Sequence, residues 1–179
     1  MSATNIPSLI LPTTVPNDLQ VIQELANSQG FEVHKTSSLA GGSINQVYLL
    51  DTSEGKRVVK INSAGKFPGM FEAEKQGLET LKQAKAFDIP AVLGLGEVQD
   101  KAYLLLEYKK EGFQKGHFWK VFGEQLSRLH KTTAGTFGFP ASNYIGSLPQ
   151  YNGQCQSAAD FYVSQRLGPQ VKMASERGL

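Results

Sequence analysis

The chain has one cysteine and three histidines, and each scarcity removes a class of function. Cys155 stands alone, so neither an internal disulfide nor a cysteine zinc site can form, and a reducing cytoplasm is the natural setting. His34, His117 and His130 show no metal-ligand spacing. Neither sign of charge is in excess: eighteen basic side chains against sixteen acidic ones leave a net +2. The lysines are scattered, so no electrostatic footprint for nucleic acid exists. No apolar run approaches the roughly 18 residues a membrane helix needs. The stretch Ile6–Leu11 is apolar, yet the first lysine is Lys35 and Pro7 and Pro12 break the run, so it fails as a signal peptide. Residues 1–14 read as a flexible arm with no assigned function. Gly-x-Ser-x-Gly, Cys–His and paired-carboxylate hydrolase signatures, internal repeats and low-complexity segments are all missing.

What is present suits a soluble globular protein: 179 residues, 40% hydrophobic and 19% charged, enough for one domain or for a lobe plus part of another. Asn17 is placed to cap a helix carrying Leu19, Ile22, Leu25 and Ala26, and Gly30 ends it. Residues 31–39 and 46–51 read as two antiparallel strands around a glycine turn. Ser53-Glu54-Gly55-Lys56 is turn chemistry, and a third strand covers 57–61. An amphipathic helix is predicted over 71–86, with Phe71, Leu78 and Leu81 on its apolar side. Strands over 91–98 and 102–107 follow. Five clustered strands with one main helix make the class α+β. Residues 108–116 are a polar hinge. A second helix over 117–132 carries the stripe Phe118, Phe122, Leu126 and Leu129, with Trp119 expected in the core and His130 expected to pack or hydrogen-bond at the helix end. Residues 138–156 read as loop, and helices over 157–167 and after Pro169 end the chain.

Chemistry collects in the first half, in a telling order. Gly41-Gly42-Ser43 between two strands lets backbone N–H groups approach phosphate oxygens, with Ile44 and Val47 beside them and Ser43 and Asn45 as further donors. By itself such a turn is most often a plain hairpin, and it is neither Gly-x-Gly-x-x-Gly nor a Walker A loop. Lys60 sits in the apolar strand Val58-Val59-Lys60-Ile61, where alternation puts it on the face of Val58. A strand-end lysine can snorkel to solvent, but one so flanked needs a partner. Glu72 and Glu74 open the next helix. Both could serve its dipole, whereas only one can face the sheet; Glu74 is favoured because Leu78 and Leu81 then adjoin it. Leu104-Leu105-Leu106-Glu107-Tyr108 is a core strand whose end could offer the Glu107 carbonyl and the Lys109 N–H to an adenine edge, with Leu106 beside them. Glycine turn, strand lysine, helix carboxylate and hinge are the parts of a kinase-like ATP cleft in chain order. No His-Gly-Asp, His-Arg-Asp or Asp-Phe-Gly segment follows.

These residues resemble the fructosamine kinase (ketosamine-3-kinase) family, relatives of aminoglycoside and choline kinases. The likeness is carried by Gly41–Asn45, by Met70-Phe71-Glu72-Ala73-Glu74 with Gly77-Leu78, by Leu126–His130, and by Phe137-Gly138-Phe139 leading into the block Asn143–Gln150 and Asn152. Phe161-Tyr162 and Arg166–Gln170 continue it. The resemblance implies a protein-kinase-like N-lobe over 15–107 with ATP bound in its cleft, and an incomplete start of a helical C-lobe over 117–179. It implies that Lys60 contacts the α- and β-phosphates, that Glu74 holds Lys60, and that Gly41–Asn45 covers the phosphates. The implied substrate is a ketoamine, free or protein-bound, phosphorylated at its C3 hydroxyl. The product falls apart, and the amine is thereby repaired. The family's catalytic aspartate and its Mg2+ ligands lie farther along than Leu179, so no catalytic residue is assigned here and residues 1–179 alone are not expected to turn over. The other readings are a non-catalytic nucleotide-binding module and a kinase for another small hydroxylated molecule, such as an aminosugar or choline.

Overall fold

The computed structural model describes residues 17–40 and 44–179; the expected arm and the residues Gly41, Gly42 and Ser43 lie outside them. Asn17 accepts from the Gln20 N–H while the Gln20 side chain accepts from the Asn17 N–H, a reciprocal cap that starts α1, Asp18–Gln29. Gly30 ends it at φ 75°. The sheet is built from β1 (Val33–Ser38), β2 (Gln46–Thr52), β3 (Gly55–Ser63), β4 (Val92–Val98) and β5 (Lys101–Glu107), in the order β1-β2-β3-β5-β4 and antiparallel throughout. The α+β class and the five antiparallel strands are as the sequence predicts.

Period-two alternation in β3 and β5 divides the core between the two faces of this sheet. Val59, Ile61, Tyr103 and Leu105 face α1 and pack with Val21, Ile22, Leu25 and Ala26. Leu19, expected in that stripe, is exposed. It stands in the first turn, and Val21 takes the inward place. Tyr48 of β2 donates 2.8 Å to Asp18, which also pairs with Lys101 of β5, so the head of α1 is pinned across the middle of the sheet. Burial first, then the hydrogen bond to Asp18 and its charge, push the Tyr48 phenol up from its ordinary value.

On the opposite face Val58, Ala102, Leu104 and Leu106 pack with Phe71 and Leu78 of α2, Met70–Gln83. Helix α2 stops three residues short of the predicted end because Lys85 takes a left-handed backbone, φ 51°, after two tightened i→i−3 bonds at Ala84 and Lys85. Leu81 is half-exposed.

Beyond Glu107, Asn152 is the only buried residue. Helix α3, Phe118–His130, presents a chain of rings: Phe87, Phe122, Phe118 and Trp119 lie with centroids 5.0–6.1 Å apart. Trp119 is 70% exposed and not core; it stands one residue off the Phe118–Phe122 stripe and meets both rings edge-on. His130, in the last turn, is also exposed and donates to no described group. The predicted loop over 138–156 contains a small hairpin, β6 (Asn143–Ile145) against β7 (Leu148–Gln150), turned by Gly146 at φ 62°. Pro169 does not separate two helices. Helix α4 (Ala158–Tyr162) runs through a π turn over Val163–Leu167 into α5 (Gly168–Glu176), the Gly168 N–H reaching back to the Val163 carbonyl. Pro169 thus sits in the first turn of α5, directly after the π turn. No helix among the described residues is long and apolar enough to cross a membrane.

Candidate nucleotide site

The candidate residues converge on the α2 side of the sheet. Lys60 lies opposite Val47 of β2 and Leu104 of β5, so the three side chains form a row across neighbouring strands. Leu106, buried, is two residues along β5 on that same side. Phe71 anchors the head of α2 on this surface, and Glu74 comes round three residues later onto the same helix face. Lys60 Nζ is 2.5 Å from Glu74 Oε1. Glu72 makes no ion pair among the described residues. Both partners of the Lys60–Glu74 pair are a little over a quarter exposed. The ammonium therefore has one donor spent and its others within reach of a solute, which is the condition for binding an anion.

Above this row the glycine turn is closed by the Leu39 N–H donating 2.8 Å to the Val47 carbonyl. Its return limb begins at Ile44 and Asn45, and Asn45 Oδ1 accepts from Asn62 Nδ2 at 3.1 Å. The sequence reading passed over Asn62. Its signal was its phase: a polar residue two places after Lys60 in an apolar strand. At the far end of the row the Glu107 N–H donates to the Ala91 carbonyl and the Glu107 carboxylate accepts from the Ala91 N–H. Lys109 Nζ reaches both Asp88 and Glu107, at 2.7 and 2.8 Å. These contacts hold the hinge strand's end against the loop after α2 and leave the Lys109 backbone N–H without a described partner.

The Lys109 hydrogen bond, then the Ala91 N–H, hold the Glu107 carboxyl below its ordinary value, while Asp88 and then Glu107 raise Lys109. A carboxylate lowered by folding adds stability above its ordinary pKa and loses it as pH falls through the lowered value. A Lys109→Met chain should thus be slightly less stable than the parent at neutral pH, and the gap should close in acid. Urea midpoints at the two pH values check this.

A groove of about 410 Å³ runs behind Glu74, between α2 and the β6–β7 hairpin. Ile44 and Asn45 line it together with Asn143, Tyr144 and Gly146, and the Tyr144 hydroxyl donates 2.8 Å to the Pro68 carbonyl before α2. The block Asn143–Gln150 is therefore in contact with the head of the helix that carries Glu74, a placement that composition alone did not show.

The sequence profile of the fructosamine kinase family matches residues 16–179. The chain belongs to the fructosamine kinase family. It is 34% identical over 171 residues to a probable ketoamine kinase of Synechocystis, covering 93% of this chain and 58% of that protein. It is 33% identical over 157 residues to the chloroplastic protein-ribulosamine 3-kinase of Arabidopsis thaliana, covering 86% and 47%. A solved Haemophilus somnus structure, described as a candidate fructosamine-3-kinase, superposes with a TM-score of 0.77 at 27% identity, over 88% of this chain and 54% of that one. The aminoglycoside phosphotransferase APH(4)-Ia shares the fold, with a TM-score of 0.54 at 16% identity. The chain spans about half the length of the curated relatives it matches.

Proposed function

We propose that this chain forms the ATP-binding part of a ketoamine kinase that phosphorylates the C3 hydroxyl of fructosamine or ribulosamine adducts and so serves repair of glycated amines in the cytoplasm. The observation that carries the reading is the Lys60–Glu74 ion pair on the β3–α2 face beside the glycine turn, in a member of this family. The residues present suit ATP. Lys60 has donors left for the α- and β-phosphates, Val47 and Leu106 give apolar walls, and the Glu107 carbonyl and Lys109 N–H end the row where an adenine edge would bond. Gly41, Gly42 and Ser43, with Ile44 and Asn45, would cover the phosphates.

In the reaction the bond from the γ-phosphorus to the bridging oxygen breaks, a bond to the acceptor's C3 oxygen forms, and the hydroxyl proton leaves to a base. Lys60 would hold the diphosphate that becomes the leaving group and balance its growing charge, with Glu74 fixing the ammonium's place. Kinases of this fold use Mg2+ to neutralise charge on the phosphates. Among the described residues no group of three or more His, Cys, Asp or Glu could hold a metal ion, so no step is assigned through it here.

The test is ADP release from ATP by the protein carrying this sequence, with a ribulosamine- or fructosamine-bearing peptide against the same peptide unglycated. Ketoamine-dependent release is expected. Release driven equally by an aminosugar or choline would move the substrate class, and ATP binding without any acceptor-dependent release would leave a nucleotide-binding module.

A further inference from the structure

Asn62 lies two residues along β3 from Lys60, opposite Ala102 of β5, and is only 5% exposed. Its Nδ2 donates to Asn45 Oδ1 at 3.1 Å and lies 3.4 Å from the sulfur of Met70. Its Oδ1 is buried with no hydrogen-bond partner among the described residues. Packing does not account for an amide here, because leucine would fill the place without stranding an acceptor away from water. What the amide does is join three parts of the site: the lysine strand, the return limb of the glycine turn, and the head of α2.

The direction of the bond matters as much as its existence. The Met70 sulfur accepts and does not donate, so Asn62 turns its amide nitrogen to that side and Asn45 must meet it with its oxygen. Its two N–H donors then remain without a partner among the described residues. Phosphate oxygens accept and never donate, so the end of Asn45 left free is the end that suits a polyphosphate. We propose that Asn62 is a positioning residue for Asn45, clasping its side chain so that its N–H donors are held for the nucleotide's phosphates, without itself touching the nucleotide. This rests on the ATP reading of the cleft given above.

Three substitutions separate the clasp from ordinary packing. Asn62→Leu removes the clasp together with the stranded acceptor. Asn45→Asp keeps an acceptor for Asn62 but discards the donors. Asn45→Ala, at a half-buried position where folding is at little risk, removes both. Deuterium uptake over residues 39–48 without nucleotide reads the clasp, and the Kd for Mg-ATP reads the positioning. Uptake should rise in Asn62→Leu and Asn45→Ala and stay at the parent's level in Asn45→Asp. Kd should rise about tenfold in all three, the worth of one well-placed hydrogen bond. The Asn62→Leu, Asn45→Ala double variant should bind no worse than either single one, since both break one contact. The thermal midpoint of Asn62→Leu without nucleotide should equal or exceed the parent's. A lowered midpoint with unchanged uptake and Kd would make Asn62 a packing residue and overturn the proposal. So would parental Kd in Asn45→Ala. A parent that fails to bind Mg-ATP would overturn the ATP reading and this inference with it, whereas a parent that binds alongside unaffected variants would overturn this inference alone.

Discussion

Replacing Lys60 with alanine should remove most of the stabilisation that Mg-ATP gives the chain while changing its unliganded stability little. A ligand that binds only the folded state stabilises it by about 2.7 kcal/mol at a hundred times its Kd. For a chain of this length that corresponds to a rise in midpoint of roughly 5–10 °C. Among the described residues Lys60 is the cation whose geometry, paired at 2.5 Å with Glu74 and more than a quarter exposed, suits it to the phosphates. Its removal leaves Glu74 facing the site unneutralised, which opposes the nucleotide's charge as well as losing an attraction. The fully folded baseline should hold, because Val59 and Ile61, not Lys60, fill the α1-side core. A Lys60→Ala chain showing the parent's full shift would mean that the nucleotide sits elsewhere or is not bound.

The second large effect is expected at Phe71. It is 1% exposed and packs with Ala102, Leu104 and Leu106 at the head of α2. Phe71→Ala should cost about 3–5 kcal/mol, the usual range for a large buried ring, against a total of about 5–15 kcal/mol for a domain. The urea midpoint should fall accordingly. Because Glu74 follows one turn later on the same face, a loosened α2 also releases the partner of Lys60, and the response to Mg-ATP should shrink too. Leu81→Ala, at the half-exposed end of the same helix, should fall within about 1 kcal/mol of the parent. Equal effects of the two substitutions would contradict this division of the core.

Much of this was legible in the sequence because two periodicities were strong. Alternation along Val58–Ile61 put Lys60 on the face of Val58, and the apolar run Leu104-Leu105-Leu106 marked a core strand. The spacing of Phe71, Leu78 and Leu81 marked the helix face, and the nearness of Leu78 and Leu81 favoured Glu74 over Glu72. Weaker signals misled. Leu19 and Val21 are equally apolar, and only the cap at Asn17 sets which of them turns inward. Strands of three residues containing Pro149 look like loop, although Gly146-Ser147 is a fair two-residue hairpin turn. Pro169 looked like a break, yet a π turn before it lets the helix continue. Residue type alone places Trp119 in the core, since nothing in a sequence shows which ring of an aromatic cluster faces outward. Asn62 was missed because the apolar strand drew attention to its lysine, and the amide's value depends on Asn45, seventeen residues away.

The central claim is that ATP sits in this cleft with its phosphates on Lys60. An acyl phosphate of ATP, which transfers its acyl group to a lysine beside the bound phosphates, tests it residue by residue. After brief exposure and peptide mapping, the label should be on Lys60, and excess Mg-ATP should prevent it. Label spread over exposed lysines such as Lys120 and Lys172, unaffected by Mg-ATP, would contradict the claim.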